Sequence, residues 1–134
     1  MSKKVIYSSG APEPIGPYSQ AIQAGNTLYV SGQIAIDRSS GNLVTGDIES
    51  ETALVMKNIN AILTAAGMDF ADVVKCTIFL KDMNNFPKVN AIYGQYFSQQ
   101  PPARETVEVS RLPKDVNVEI SCVAVSGKAS PRLV

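Results

Sequence analysis

Between Pro101 and Ile120 the chain reads as two short strands separated by Leu112-Pro113-Lys114-Asp115, a quartet whose proline and aspartate favour a turn that a central strand could not carry. The simplest expectation is a β-hairpin. In the first strand, period-2 alternation puts Arg104, Thr106, Glu108 and Ser110 on one face and Ala103, Glu105, Val107 and Val109 on the other. In the second, Val116, Val118, Ile120, Cys122 and Ala124 form an apolar face and leave Asn117, Glu119 and Ser121 opposite. Such a pattern calls for a sheet with one buried side, and it brings the Arg104 guanidinium and the Glu119 carboxylate towards one polar space. Two readings are open for that pair. It is a structural salt bridge across the hairpin, or Arg104 offers its planar fork of donors to an anionic ligand, with carboxylate favoured by bidentate geometry, and Glu119 acts on water or on a ligand nitrogen.

The remaining elements follow in order. Val5-Ile6-Tyr7 is a short strand, and the proline-rich segment Ala11 to Ser19 reads as a rigid loop that holds Tyr18. Ala21 to Gln33 is a hairpin turning at Gly25-Asn26. Gly32 inside its second strand signals a bulge or a close approach of another group to the backbone. Ile36 to Asn42 is a surface turn. Asp47 is placed as the N-cap of the clearest helix, with Glu49 and Glu51 in the first turn, a stripe of Ile48, Val55, Ile59, Ile62, Leu63 and Ala66, and Gly67 as the C-terminal cap. Val73 to Leu80 is a strand. A second helix opens near Pro87 and runs through Phe97 with Val89, Ile92, Tyr93 and Tyr96 buried, which leaves Asn90 off the stripe, on a solvated or a functional face. The segment from about residue 127 to 134 has no periodicity and reads as a frayed tail.

That order predicts an α+β domain whose two helices cover one face of the sheet. The other face carries Thr27, Tyr29, Ser31, Thr77, Phe79, Val123 and Val125, too apolar to be left to water, so a symmetric homo-oligomer with clefts between subunits is expected. With 134 residues, a single domain suffices. Lys+Arg and Asp+Glu stand at 12 each, so nucleic acid is a poor default partner. The chain shows neither a secretory signal nor a membrane span, which fits a soluble cytoplasmic protein. Cys76 and Cys122 lack CxxC spacing and read as buried structural thiols. The absence of any histidine removes Ser-His-Asp triads, Cys-His dyads, histidine metal sites and two-histidine ribonuclease chemistry. Catalysis must then come from carboxylate, tyrosine, hydroxyl, arginine, lysine, backbone or a second copy of the chain.

Nearly the whole sequence resembles the Rid (reactive intermediate deaminase) family, on Ile15-Gly16-Pro17-Tyr18-Ser19-Gln20, Ser31-Gly32-Gln33, Val89-Asn90-Ala91-Ile92-Tyr93, Pro102-Ala103-Arg104, and Val107-Glu108-Val109 through Leu112-Pro113-Lys114-Asp115 to Val118-Glu119-Ile120. The resemblance implies a chorismate-mutase-like fold, a homotrimer with sheets turned inward, and active sites at the subunit interfaces, without metal or organic cofactor. It implies hydrolysis of reactive 2-imino acids to 2-keto acids and ammonia. The carboxylate-binding arginine falls on Arg104, the water-handling glutamate on Glu119 and the backbone contact to the substrate nitrogen on Gly32, with Tyr18, Ser31 and Asn90 lining the pocket. Thr106 stands where many relatives have cysteine, and a second water is its expected ligand. Competing functions are a non-catalytic sensor of small carboxylates and the translation-inhibitor or ribonuclease activity ascribed to some relatives.

Overall fold

Six strands and two α-helices appear in the expected order in a computed structural model that describes residues 2–127. The strands are β1 (Lys3–Ile6), β2 (Ala21–Ala24), β3 (Thr27–Gln33), β4 (Val73–Leu80), β5 (Ala103–Glu108) and β6 (Val118–Val125), and the helices are α1 (Ile48–Ala65) and α2 (Phe86–Gly94). They form one mixed sheet in the order β1-β2-β3-β6-β4-β5. Both helices lie on the same side.

The expected hairpin between β5 and β6 does not form. β4 lies between them, antiparallel to β6 and parallel to β5. The reason lies in β4 itself, whose β-branched and aromatic run needs cover on both edges. The α2 crossover returns the chain parallel to β4 on its outer edge, where Pro101-Pro102 can precede a strand without interrupting a ladder. The segment 109–117 then has length enough to cross over the end of β4 and enter β6. The β2-β3 hairpin forms as expected, its two-residue loop opened by Gly25 at φ +61°.

α1 is closed at both ends by its own sequence. The Asp47 carboxylate accepts from the Ser50 backbone N–H at 2.8 Å, and Gly67 at φ +74° lets Met68 N–H reach the Leu63 carbonyl at 2.9 Å. Its stripe, Ile48, Val55, Ile59, Ile62 and Leu63, is buried against Leu28, Val30, Ile78, Val118 and Ile120, whereas Ala66 is only partly covered. Each such aliphatic side chain contributes about 1.5–3 kcal/mol by leaving water. α2 ends at Gly94, earlier than its stripe suggests, and residues to Phe97 continue as turns.

Two polar residues of α1 hold the strands that carry the site. Glu51, placed in the first turn of α1 for its charge, is fully buried and accepts from Asn117 N–H (2.7 Å), Asn117 Nδ2 (2.8 Å) and Val118 N–H (3.2 Å), which fixes the start of β6. Asn58 donates to the Ile34 and Ile36 carbonyls, both at 3.1 Å, and fixes the chain leaving β3. The open side of the sheet carries the residues the alternation assigned to it, Tyr29 being 53% exposed, and Val107 of β5, opposite Phe79 and 41% exposed, joins them. Ser126 and Gly127 are tied by backbone N–H bonds to the Asn26 carbonyl and to Asp72, so the expected fraying does not extend to them, and the rest of that expectation lies outside the described residues. No helix among the described residues is long and apolar enough to cross a membrane.

Candidate functional site

Glu119 sits on the open side of β6, opposite Phe79 of β4. Beside it the pairing of β3 with β6 slips between Val30 and Gln33, so Ser31 and Gly32 form a bulge. Both explanations for the strand glycine hold at once: a Cβ on Gly32 would lie 2.2 Å from Glu119 Oε2 and 2.8 Å from its Cδ. The carboxylate therefore lies directly against bare backbone. Its hydrogen bonds are unclaimed among the described residues, and burial alone raises its pKa above the ordinary glutamate range. Around it lies a cavity of about 370 Å³ lined by Ile15, Tyr18, Ser31, Gly32, Ile34 and Pro113.

The loop that brings Tyr18 here is pinned by hydrogen bonds, several of them from Gln20, the last residue of the Ile15-to-Gln20 motif. Buried Gln20 accepts from Ser8 N–H at 2.6 Å and donates to the Pro12 carbonyl at 2.9 Å, spanning the proline-rich segment. Ser31 clasps the other end, donating its hydroxyl to the Ser19 carbonyl at 2.6 Å and its backbone N–H to the Gln20 carbonyl at 2.9 Å. Its hydroxyl proton is thereby committed to the scaffold. Tyr18 remains 49% exposed, its hydroxyl accepting weakly from Ile15 N–H at 3.4 Å. The supposed surface turn at 36–42 also braces this loop, since Arg38 donates to the Ala11 carbonyl at 2.5 Å and to the Tyr7 hydroxyl at 2.9 Å.

Arg104 occupies a different place. It lies opposite Cys76, which in turn lies opposite Cys122, so its side chain leaves the sheet on the helix-covered side, at the β5 edge. There Nη1 donates to Asn90 Oδ1 at 2.7 Å, and the guanidinium carbon stands 5.0 Å from the Tyr93 ring centroid and 5.3 Å from that of Phe86. Arg104 forms no ion pair among the described residues. A cavity of about 470 Å³ opens beside it, lined by Asn90, Tyr93, Gly94, Phe97, Pro101 and Pro102. Thr106, two residues on and on the same side, has a buried hydroxyl with no hydrogen-bond partner among the described residues.

Arg104 and Glu119 thus face opposite sides of the sheet and separate cavities. The structural salt bridge is ruled out, and so is a site assembled from both groups within one chain. Each half is chemically unfinished: a cation with donors to spare but no anion, and a desolvated carboxylate with no cation. Among the described residues no cluster of Cys, Asp and Glu could hold a metal ion. Cys76 and Cys122 are buried, and burial pushes both thiols above their ordinary range, as expected of inert packing groups.

Comparison with known proteins adds the family context. Residues 8–126 match the family model described as endoribonuclease L-PSP. A RutC family protein of Pyrococcus horikoshii is 57% identical over 122 residues, covering 91% of this chain and 97% of the relative. The 2-iminobutanoate/2-iminopropanoate deaminase of Mus musculus is 50% identical over 125 residues, covering 93% of each. Among solved structures, that of E. coli TdcF with bound serine superposes with a TM-score of 0.89 at 38% identity, covering 92% of this chain and 99% of that one.

Proposed function

The chain belongs to the Rid family, and from that premise we propose that it hydrolyses small 2-imino acids to 2-keto acids and ammonia at sites completed by a second copy of itself. The observation that carries the reading is Glu119, a part-buried carboxylate with no hydrogen-bond partner among the described residues, held against the Gly32 backbone where burial raises its pKa. A relative with 50% identity bears the name of that deaminase activity, and the structure of another holds serine, a small α-amino acid.

The chemistry needs little apparatus. Water adds to the carbon of the protonated imine and gives one proton to Glu119; that proton then passes to the aminol nitrogen, and the C–N bond breaks as the aminol hydroxyl releases its own proton, leaving a keto group and ammonium. Ionised Glu119 takes the proton from the attacking water and returns it to the departing nitrogen. Its raised pKa brings donor and acceptor closer to the working pH, and acid–base help of this kind supplies roughly 10²–10⁴-fold. The Gly32 carbonyl accepts from the iminium N–H, and Tyr18 closes the cavity above. The substrate carboxylate pairs with Arg104, contributing roughly 1.5–3 kcal/mol as a charge-assisted contact. Asn90 steadies that guanidinium, and the unpartnered Thr106 hydroxyl binds a water beside it. No metal or organic cofactor enters.

Because Arg104 and Glu119 leave opposite faces, both can reach one substrate only when the Glu119 cavity of one copy meets the Arg104 edge of another. The apolar open face supplies the contact. A closed ring of three copies, the chorismate-mutase-like homotrimer of the resemblance, makes three equivalent sites and leaves neither half unmatched. Subunit complementation tests this. Arg104→Ala and Glu119→Gln are each expected to be inactive. After denaturation together and refolding at equal ratio, random assortment restores about a quarter of the sites. Failure to recover keto-acid release from freshly generated 2-iminobutanoate, in mixed oligomers that form normally, refutes the shared site.

A further inference from the structure

Arg104 sits on a six-residue edge strand, exposed and bound on one flank only. A long side chain in that position would ordinarily sample many rotamers, losing on capture the entropy that capture requires. This one is held from beneath. Its guanidinium lies within cation–π distance of two rings from α2, Phe86 and Tyr93, while Asn90 of the same helix takes one Nη1 proton. The spacing is helical: Phe86, Asn90 and Tyr93 stand four and three residues apart, so one face of α2 presents ring, amide and ring in succession. Tyr93 is 4% exposed with its hydroxyl beside the Cys76 thiol, and Phe86 is half-buried against the core.

We infer that the Phe86 and Tyr93 rings are positioning residues that hold the Arg104 fork ready for a carboxylate, the rings and not the Tyr93 hydroxyl supplying the effect. Rings attract the guanidinium face and leave its edge donors free, whereas a carboxylate partner would occupy them. Only Nη1 is engaged, through a neutral amide that fixes the in-plane rotation without neutralising charge. The inference rests on the proposed carboxylate clamp for its functional half, while its structural half stands independently.

The test is side-chain 15Nε relaxation of Arg104 in the full chain, together with binding of pyruvate as a stable 2-keto acid. In wild type and in Phe86→Tyr the Arg104 Nε is expected to be ordered. In Phe86→Leu, which keeps an apolar group at a part-exposed site and so keeps the fold, its order parameter is expected to fall below about 0.6 and pyruvate affinity to drop roughly three- to tenfold. Combined with Arg104→Ala, Phe86→Leu is expected to cause no further loss. An Arg104 Nε that stays rigid in Phe86→Leu overturns the inference, as does the same fold-loss in the Arg104→Ala background. If Arg104→Lys alone leaves pyruvate affinity unchanged, the clamp itself fails, and the relaxation data still decide whether the rings order the side chain.

Discussion

Gly32→Ala isolates the relation between Glu119 and the strand bulge without touching a titratable group. The added Cβ would fall 2.2 Å from Oε2, where ordinary van der Waals contact begins near 3.4 Å, so the carboxylate must retreat by about 1.2 Å. The backbone itself accepts alanine, because Gly32 is not among the glycines with positive φ. Stability then reflects two small opposed effects. Alanine restricts the unfolded chain and favours folding by about 0.4–1 kcal/mol, and pushing Glu119 off its rotamer costs about 0.5–1.5 kcal/mol. The net change is expected within about 1 kcal/mol of zero. Activity is another matter, since misplacing a reacting group by about 1 Å can cost 10²-fold. Keto-acid release from 2-iminobutanoate generated in situ, measured beside thermal unfolding and oligomeric state, is expected to fall by at least about 30-fold with Tm nearly unchanged. A variant with wild-type turnover and wild-type assembly would show that the placement of Glu119 over Gly32 has no part in the chemistry.

Other consequences are as direct. Arg104→Lys keeps the charge but loses the fork and the ring contacts, so kcat/KM is expected to fall at least tenfold; near-full turnover in steady-state assays would exclude bidentate capture. Burial raises the folded-state pKa of Glu119 above its unfolded value, so its stability contribution is full below the unfolded pKa and is lost as pH rises through the folded one. Glu119→Gln is therefore expected to unfold at higher temperature than wild type at pH 7, with the difference vanishing in acid; identical pH-dependence of Tm in both proteins would contradict the desolvation of this group. Glu51→Ala strands the Asn117 and Val118 donors and is expected to cost about 3 kcal/mol in urea unfolding; a loss below about 1 kcal/mol would mean that water or another acceptor takes its place.

Much of this was readable from residue order because it is local. Asp47 and Gly67 close α1 through bonds spanning at most five residues, and Gly25-Asn26 sets a two-residue turn, so neither needed knowledge of distant chain. Period-2 alternation likewise sorted β6 into a buried face and a face bearing Glu119, and marked the open side of the sheet as too apolar for solvent. The motif residues Tyr18, Ser31 and Gly32 did converge around Glu119, and Asn90 did meet Arg104. The bracing roles of Glu51 and Gln20 were not foreseen, because a polar residue near a helix start or beside a proline-rich loop has no local sign that it will be buried and bonded to distant backbone.

What alternation cannot specify is which strand becomes whose neighbour. Two strands adjacent in sequence look like a hairpin until the pairing demands of a third are counted, and β4 satisfies them by entering between β5 and β6. That insertion is a non-local choice, made by the pairing of β4 on both of its edges and by the α2 crossover. The parity of the register then sends Arg104 to the helix side and Glu119 to the open side. The chain alone determined which chemical groups were present and on which face of its own strand each would lie; tertiary pairing decided that the cation and the carboxylate could not meet within a single copy.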